Sequence, residues 1–105
     1  MQDIDRRGFS AVMEDAITIV SQAPDGFHVS FDLDVIDPRE APGVGTPVPG
    51  GISYREAHLA MEFIAVSGRM VSIDLVEDNP VLDDRNATAL LGVELIQSAF
   101  GKQIL

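Results

Sequence analysis

Only two runs in this chain are composed as β-strands, Phe27–Phe31 and Met70–Val76, and a helix-forming stretch lies between them. Both are rich in β-branched and aromatic residues, and turn signals precede them: Pro24-Asp25-Gly26 before the first and Gly68 before the second. In between, Ser53-x-x-Glu56 is a capping box that opens a helix, with Ala57, Ala60, Met61 and Ile64 on one face and Gly68 as its stop. Strand, helix and strand in that order imply a parallel pair joined by a right-handed crossover. Phe9, Val12, Met13, Ala16, Ile17 and Val20 recur at helical spacing and predict another helix over roughly 9–22. Asp83 or Asp84 caps a last helix to about Phe100, and Gly101 ends it. The fold class is α/β. Parallel sheets are normally covered on both faces and contain several strands. Two strands leave both edges open and give three apolar helix faces little to cover, so the pattern implies a piece of a larger domain or an obligate oligomer.

The first strand runs out into Asp32 and Asp34, two positions apart. On an extended chain such side chains leave the same face. Convergent carboxylates repel unless a cation lies between them, and a divalent metal is the usual solution; a solvated strand end or a helix cap is the simpler alternative. From Asp34 to Ile52 no periodicity is visible, and the stretch carries Pro38, Pro42, Pro47 and Pro49 with Gly43, Gly45, Gly50 and Gly51. Restricted prolines and permissive glycines suit a rigid wall beside a site. The second strand ends in Glu77, a third acid at the carboxyl edge, where open α/β sheets place ligands. Asp37, before Pro38, reads as an Asx turn that fixes the start of the loop. His28, at the far end of the first strand, and His58, in the middle of a helix, read as structural or surface residues.

The chain has 105 residues, enough for one domain at most. Its formal net charge of −10 argues against nucleic acid or an anionic membrane as partner and suits a cationic ligand or a metal. With no cysteine, disulfides, thiol chemistry and zinc–thiolate sites are excluded. No signal peptide or membrane-length apolar run is visible, so the expected setting is cytoplasmic.

DLDVIDP, APGVGTPVPGG, SYRE and DLVEDNP, in that order, resemble the C-terminal part of the ureohydrolases, the family that includes arginase and agmatinase. GISYRE, the Asn79-Pro80 pair and the closing VELIQSAFGKQIL look more like a bacterial arginase than an agmatinase, and MQDIDRRGFSAVMED looks like the segment that precedes this strand. The resemblance implies that residues 1–105 are the C-terminal third of a three-layer αβα arginase-type parallel-sheet domain. It implies manganese, two Mn²⁺ ions in the complete site, with Asp32 as the bridging ligand and Asp34 as chelator of the second ion. It implies Glu77 as the partner of the substrate guanidinium and Thr46 as a loop residue beside it. The reaction it implies is hydrolysis of L-arginine to ornithine and urea.

The family's remaining ligands, a histidine and an Asp-x-His-x-Asp motif, are not in this chain, nor is the histidine credited with proton transfer. No catalytic residue is therefore assigned. The alternatives are a non-catalytic truncated module that needs a complementary N-terminal part, and an agmatinase-like guanidino hydrolase. Complete members are expected to be trimers or hexamers, with Phe100 to Leu105 helping assembly. Asp78 stands where arginases of this type carry an aliphatic residue, a charge beside Glu77 that bears on guanidinium specificity. A haloacid-dehalogenase-type phosphatase also carries Asp-x-Asp at a strand end, with Mg²⁺. Ile36 stands where Thr or Val would be expected, however, and Lys102, the only lysine, lies in the tail.

Overall fold

The computed structural model describes residues 1–103. Helices α1 (Gln2–Arg7) and α2 (Phe9–Val20) lead into strand β1 (Phe27–Asp32); α3 (Tyr54–Ser67), β2 (Met70–Val76) and α4 (Ala87–Ala99) follow. The strands pair in parallel, from Phe27 opposite Met70 to Asp32 opposite Val76, with one irregularity between Phe27 and His28. This is the parallel pairing expected from the strand–helix–strand pattern, and it is the only sheet among the described residues.

Local chemistry explains most element ends. Ser53 Oγ accepts the Glu56 amide at 3.1 Å, and Glu56 Oε1 accepts the Ser53 amide at 3.0 Å, closing the capping box of α3. Gly68 ends that helix at φ 65, a left-handed conformation that glycine adopts without a Cβ clash. Helix α4 starts later than its acids suggest. Arg85 and Asn86 make a left-handed turn at φ 50 and 60, and Asp83 reaches across it to accept the amides of Thr88 and Ala89 at 3.0 and 3.3 Å. Helix α1 was not visible in the hydrophobic pattern because six residues are too few to show a period. Asp3 and Asp5 in its first turn and Arg6 and Arg7 in its last oppose the helix dipole favourably.

The core does not sit chiefly on the sheet. Leu33, Ile36, Ala41, Val44 and Ile52, all on the connection from β1 to α3, are buried together with Ala57, Met61 and Ile64 of α3 and Leu91, Leu95 and Ala99 of α4. The strand side chains Phe27, Val29, Phe31, Ile73 and Leu75 are only partly buried against that cluster, and α2 buries no residue fully. Half-wet strands are what a two-stranded sheet with open edges gives. Leu95 is fully buried where α4 meets α3, so Leu95→Ala removes packing and leaves a cavity. The expected loss is about 2–5 kcal/mol of folding stability, read as a lower urea midpoint at unchanged slope.

The aperiodic segment after β1 is pinned at both ends by Asp37. Its Oδ1 accepts the Arg39 amide at 3.0 Å and Arg39 Nε at 2.9 Å, and its Oδ2 accepts the Gly50 amide at 3.1 Å. This is the Asx geometry expected of that residue. Next to it, Gly51 runs so close to the chain that an added Cβ would stand 2.5 Å from the Asp37 amide nitrogen and the Val35 carbonyl oxygen. Hydrogen bonds from Arg39, then from Gly50, hold the Asp37 carboxyl down at about 2 from the ordinary 3.8. The unfolded carboxylate binds protons more readily, so this stabilisation is complete above pH 3.8 and is lost as pH falls through about 2. Carboxyl-detected NMR should show Asp37 titrating near 2, and Arg39→Ala should return it toward 3.8.

Phe100 is 71% exposed at the end of α4, and the Ile104 and Leu105 part of the expected assembly segment lies outside the described residues. No helix among the described residues is long and apolar enough to cross a membrane.

Candidate metal and substrate site

Strand β1 ends at Asp32, but Asp34 does not continue it. Leu33–Val35 form one turn of 3-10 helix, with Asp32 as N-cap and its Oδ1 accepting the Asp34 amide at 2.8 Å. The expectation that both acids project from one extended face is therefore corrected: a capped turn sets their relation, and Leu33, buried between them, anchors that turn in the core. The capping bond uses one Asp32 oxygen and leaves the other free.

Asp34 is held from the loop. Its Oδ2 accepts the Thr46 hydroxyl, while its Oδ1 is buried and has no hydrogen-bond partner. A buried carboxylate oxygen without a donor costs free energy unless a cation completes it. That orphaned oxygen fits a metal ligand, and the hard oxygen donors suit a hard divalent ion such as manganese. The fit is to part of a site, because no group of three or more His, Cys, Asp or Glu that could hold a metal occurs among the described residues.

Glu77 follows the last residue of β2, next to the pair of Asp32 and Val76 at the sheet's carboxyl edge. It takes φ 71, a left-handed backbone that a non-glycine residue adopts at a cost. The turn is fixed from the other side by the loop: Val44 bridges Asp78 in antiparallel fashion, and the Asn79 amide donates to the Gly43 carbonyl at 2.7 Å. This folds the carboxylate over the loop backbone, where a Cβ added to Gly45 would lie 3.5 Å from Glu77 Oε2. Thr46, the neighbour of Gly45, reaches Asp34 with its hydroxyl. Asp78 is exposed and enters the site only through its backbone pairing with Val44.

Neither histidine joins this cluster. His28 alternates with Ser30 and Asp32 on the outer face of β1. There its Nδ1 meets Ser72 Oγ at 2.7 Å and its Nε2 meets Asp74 at 3.1 Å, while the Ser30 hydroxyl donates to Asp74 at 2.6 Å. The Ser30 hydrogen bond, followed by that of His28, lowers the Asp74 pKa from 3.8. These side chains tie β1 to β2 one step before the acids. His58 is fully buried between α3 and α4. The loop–turn pairing that positions Glu77 and the orphaned Asp34 oxygen have no signature in the linear pattern, since both arise from contacts between distant segments.

The Arginase family model matches residues 1–101. The chain is 50% identical over all 105 residues to the arginase of Bacillus caldovelox and 52% identical to that of Bacillus subtilis (strain 168), covering 35% of each. The native structure of the B. caldovelox arginase superposes with a TM-score of 0.94 at 49% identity, over 99% of this chain and 35% of that one. The chain thus spans about a third of the length of the curated relatives it matches.

Proposed function

Because this chain belongs to the arginase family, we propose that it contributes the manganese-binding and guanidinium-binding edge of an arginase-type site that hydrolyses L-arginine to ornithine and urea. The observation that carries the reading is the meeting of Asp34, with its orphaned buried oxygen, Thr46 and the Glu77 turn at one edge of the sheet. Bound manganese supplies Lewis acidity that makes hydrolysis by water feasible at neutral pH. Asp32 offers the oxygen that its capping bond leaves free, and Asp34 offers Oδ1 while Thr46 holds Oδ2. Glu77 presents a carboxylate of the geometry that takes two hydrogen bonds from a guanidinium and orients its carbon. Arginine is favoured over agmatine because the relatives at 50% and 52% identity are arginases. The same reading carries a homo-oligomer of complete chains and a cytoplasmic setting.

Two carboxylates and a two-stranded sheet support a second, linked reading: residues 1–105 act as a non-catalytic module until a complementary segment completes sheet and site. In that reading the chain is the C-terminal third of the domain, and the complement precedes it. The test is Mn²⁺-dependent urea release from arginine, measured for the chain alone and after co-expression with the first two-thirds of a bacterial arginase. Activity only in the mixture supports both readings. Activity restored only by a segment that follows the chain would overturn its placement, and turnover of agmatine in preference to arginine would overturn the substrate.

A further inference from the structure

Away from the carboxylate edge, helices α3 and α4 and the start of the tail flank a half-open cleft of about 310 Å³, lined by Tyr54, His58, Glu94, Ser98 and Lys102 among others. His58 is fully buried; its Nδ1 meets Ser98 Oγ at 2.8 Å, and its Nε2 has no hydrogen-bond partner. Glu94 Oε2 lies 3.8 Å from it, too long for a hydrogen bond. That same oxygen accepts the Tyr54 hydroxyl at 2.9 Å, and the Tyr54 ring lies 4.4 Å from the imidazole. Ser98, His58 and Glu94 superficially line up as nucleophile, base and acid, but Ser98 is fully buried, with its hydroxyl engaged by His58. The row is better suited to holding helices together.

We propose that Tyr54, His58 and Glu94 form an acid-operated latch between α3 and α4: with His58 neutral, Glu94 is fastened to the Tyr54 hydroxyl, and when His58 takes up a proton Glu94 is drawn to Nε2 and releases Tyr54. A buried imidazolium with an unpartnered N–H is costly, and Glu94 Oε2 is an acceptor within reach. The Glu94 side chain is 48% exposed beside the cleft, so it has room to swing. The other groups that face His58 are Glu62 on its own helix, whose charge favours the proton, and Lys102 from the tail, whose charge opposes it. Lys102 is itself held by Gln97 of α4 at 3.2 Å. Burial outweighs the two glutamates and lowers the His58 pKa from 6.5. The unfolded chain therefore binds this proton more readily than the folded one. The contribution of His58 to stability is complete above pH 6.5 and is lost as pH falls through its lower folded value. The Tyr54 amide separately donates to Glu40, on the loop that carries Thr46.

Tyr54 is the only tyrosine and the chain has no tryptophan, so its absorption near 280 nm reports this site alone. A phenol that donates to a carboxylate absorbs to the red of one in water. Acidification of the 105-residue chain should give a blue shift with a midpoint below 6.5, tracking the His58 ring proton by NMR. His58→Gln and Glu94→Gln should each abolish the shift, and His28→Asn should leave it unchanged. A shift that persists in His58→Gln, or a wild-type His58 that titrates with no change at Tyr54, would overturn the latch. The wild-type comparison of the two signals decides the matter even if the variants fail to fold.

Discussion

Asp32→Asn is expected to eliminate Mn²⁺-dependent urea release from the completed enzyme, by more than the roughly 10–100-fold that outer-shell changes at metal sites cost. Asparagine keeps an oxygen at the Oδ1 position, so the cap on the Asp34 amide survives and the 3-10 turn holds its shape. What is lost is the negative charge and the ligand strength of a carboxylate, which metal affinity requires. Asp32→Ala removes the cap as well and should cost a further ~0.5–2 kcal/mol of stability. The pair separates chemistry from folding. Asn should leave the melting temperature near wild type while manganese binding by calorimetry collapses; Ala should lower both. Wild-type turnover in Asp32→Asn would remove this aspartate from the metal site altogether.

Alternation and capping were legible in the sequence because they are local. The apolar strand runs fixed β1 and β2 nearly to the residue, and Ser53 with Glu56 marked the start of α3. The same local reasoning failed at Asp34, since nothing in the pattern distinguishes an extended strand end from a capped 3-10 turn. It also missed that the aperiodic loop supplies Ile36, Ala41, Val44 and Ile52 to the core. A loop with no period still buries whatever apolar residues its prolines and glycines turn inward. The open edges foreseen from two strands are present, and the half-exposed β residues are their physical consequence. The candidate site was legible as residue types, Asp32, Asp34 and Glu77 at or just past strand ends. It was not legible as geometry, because Glu77 is aimed by a bridge between Val44 and Asp78 that no spacing rule anticipates.

That bridge leads to the second large effect. Glu77→Gln should reduce kcat/KM for arginine by about 10²–10³-fold, the range expected when one partner of a desolvated carboxylate–guanidinium pair loses its charge. Gln retains the shape and the left-handed φ 71, so the loop–turn pairing and the stability should stay near wild type. If Glu77 only helps to capture substrate, the loss falls on KM; if it also aligns the guanidinium carbon, kcat falls too. Glu77→Gly discriminates further. It relieves a left-handed strain of about 1 kcal/mol and offsets that gain with a more flexible unfolded chain, so net stability should barely change while activity is lost. Strain tolerated at a residue whose removal costs activity but not stability is the signature of a side chain held for function. A Glu77→Gln enzyme with unchanged kcat and KM would mean that the carboxylate over Gly45 is a surface acid, and that the guanidinium is read elsewhere.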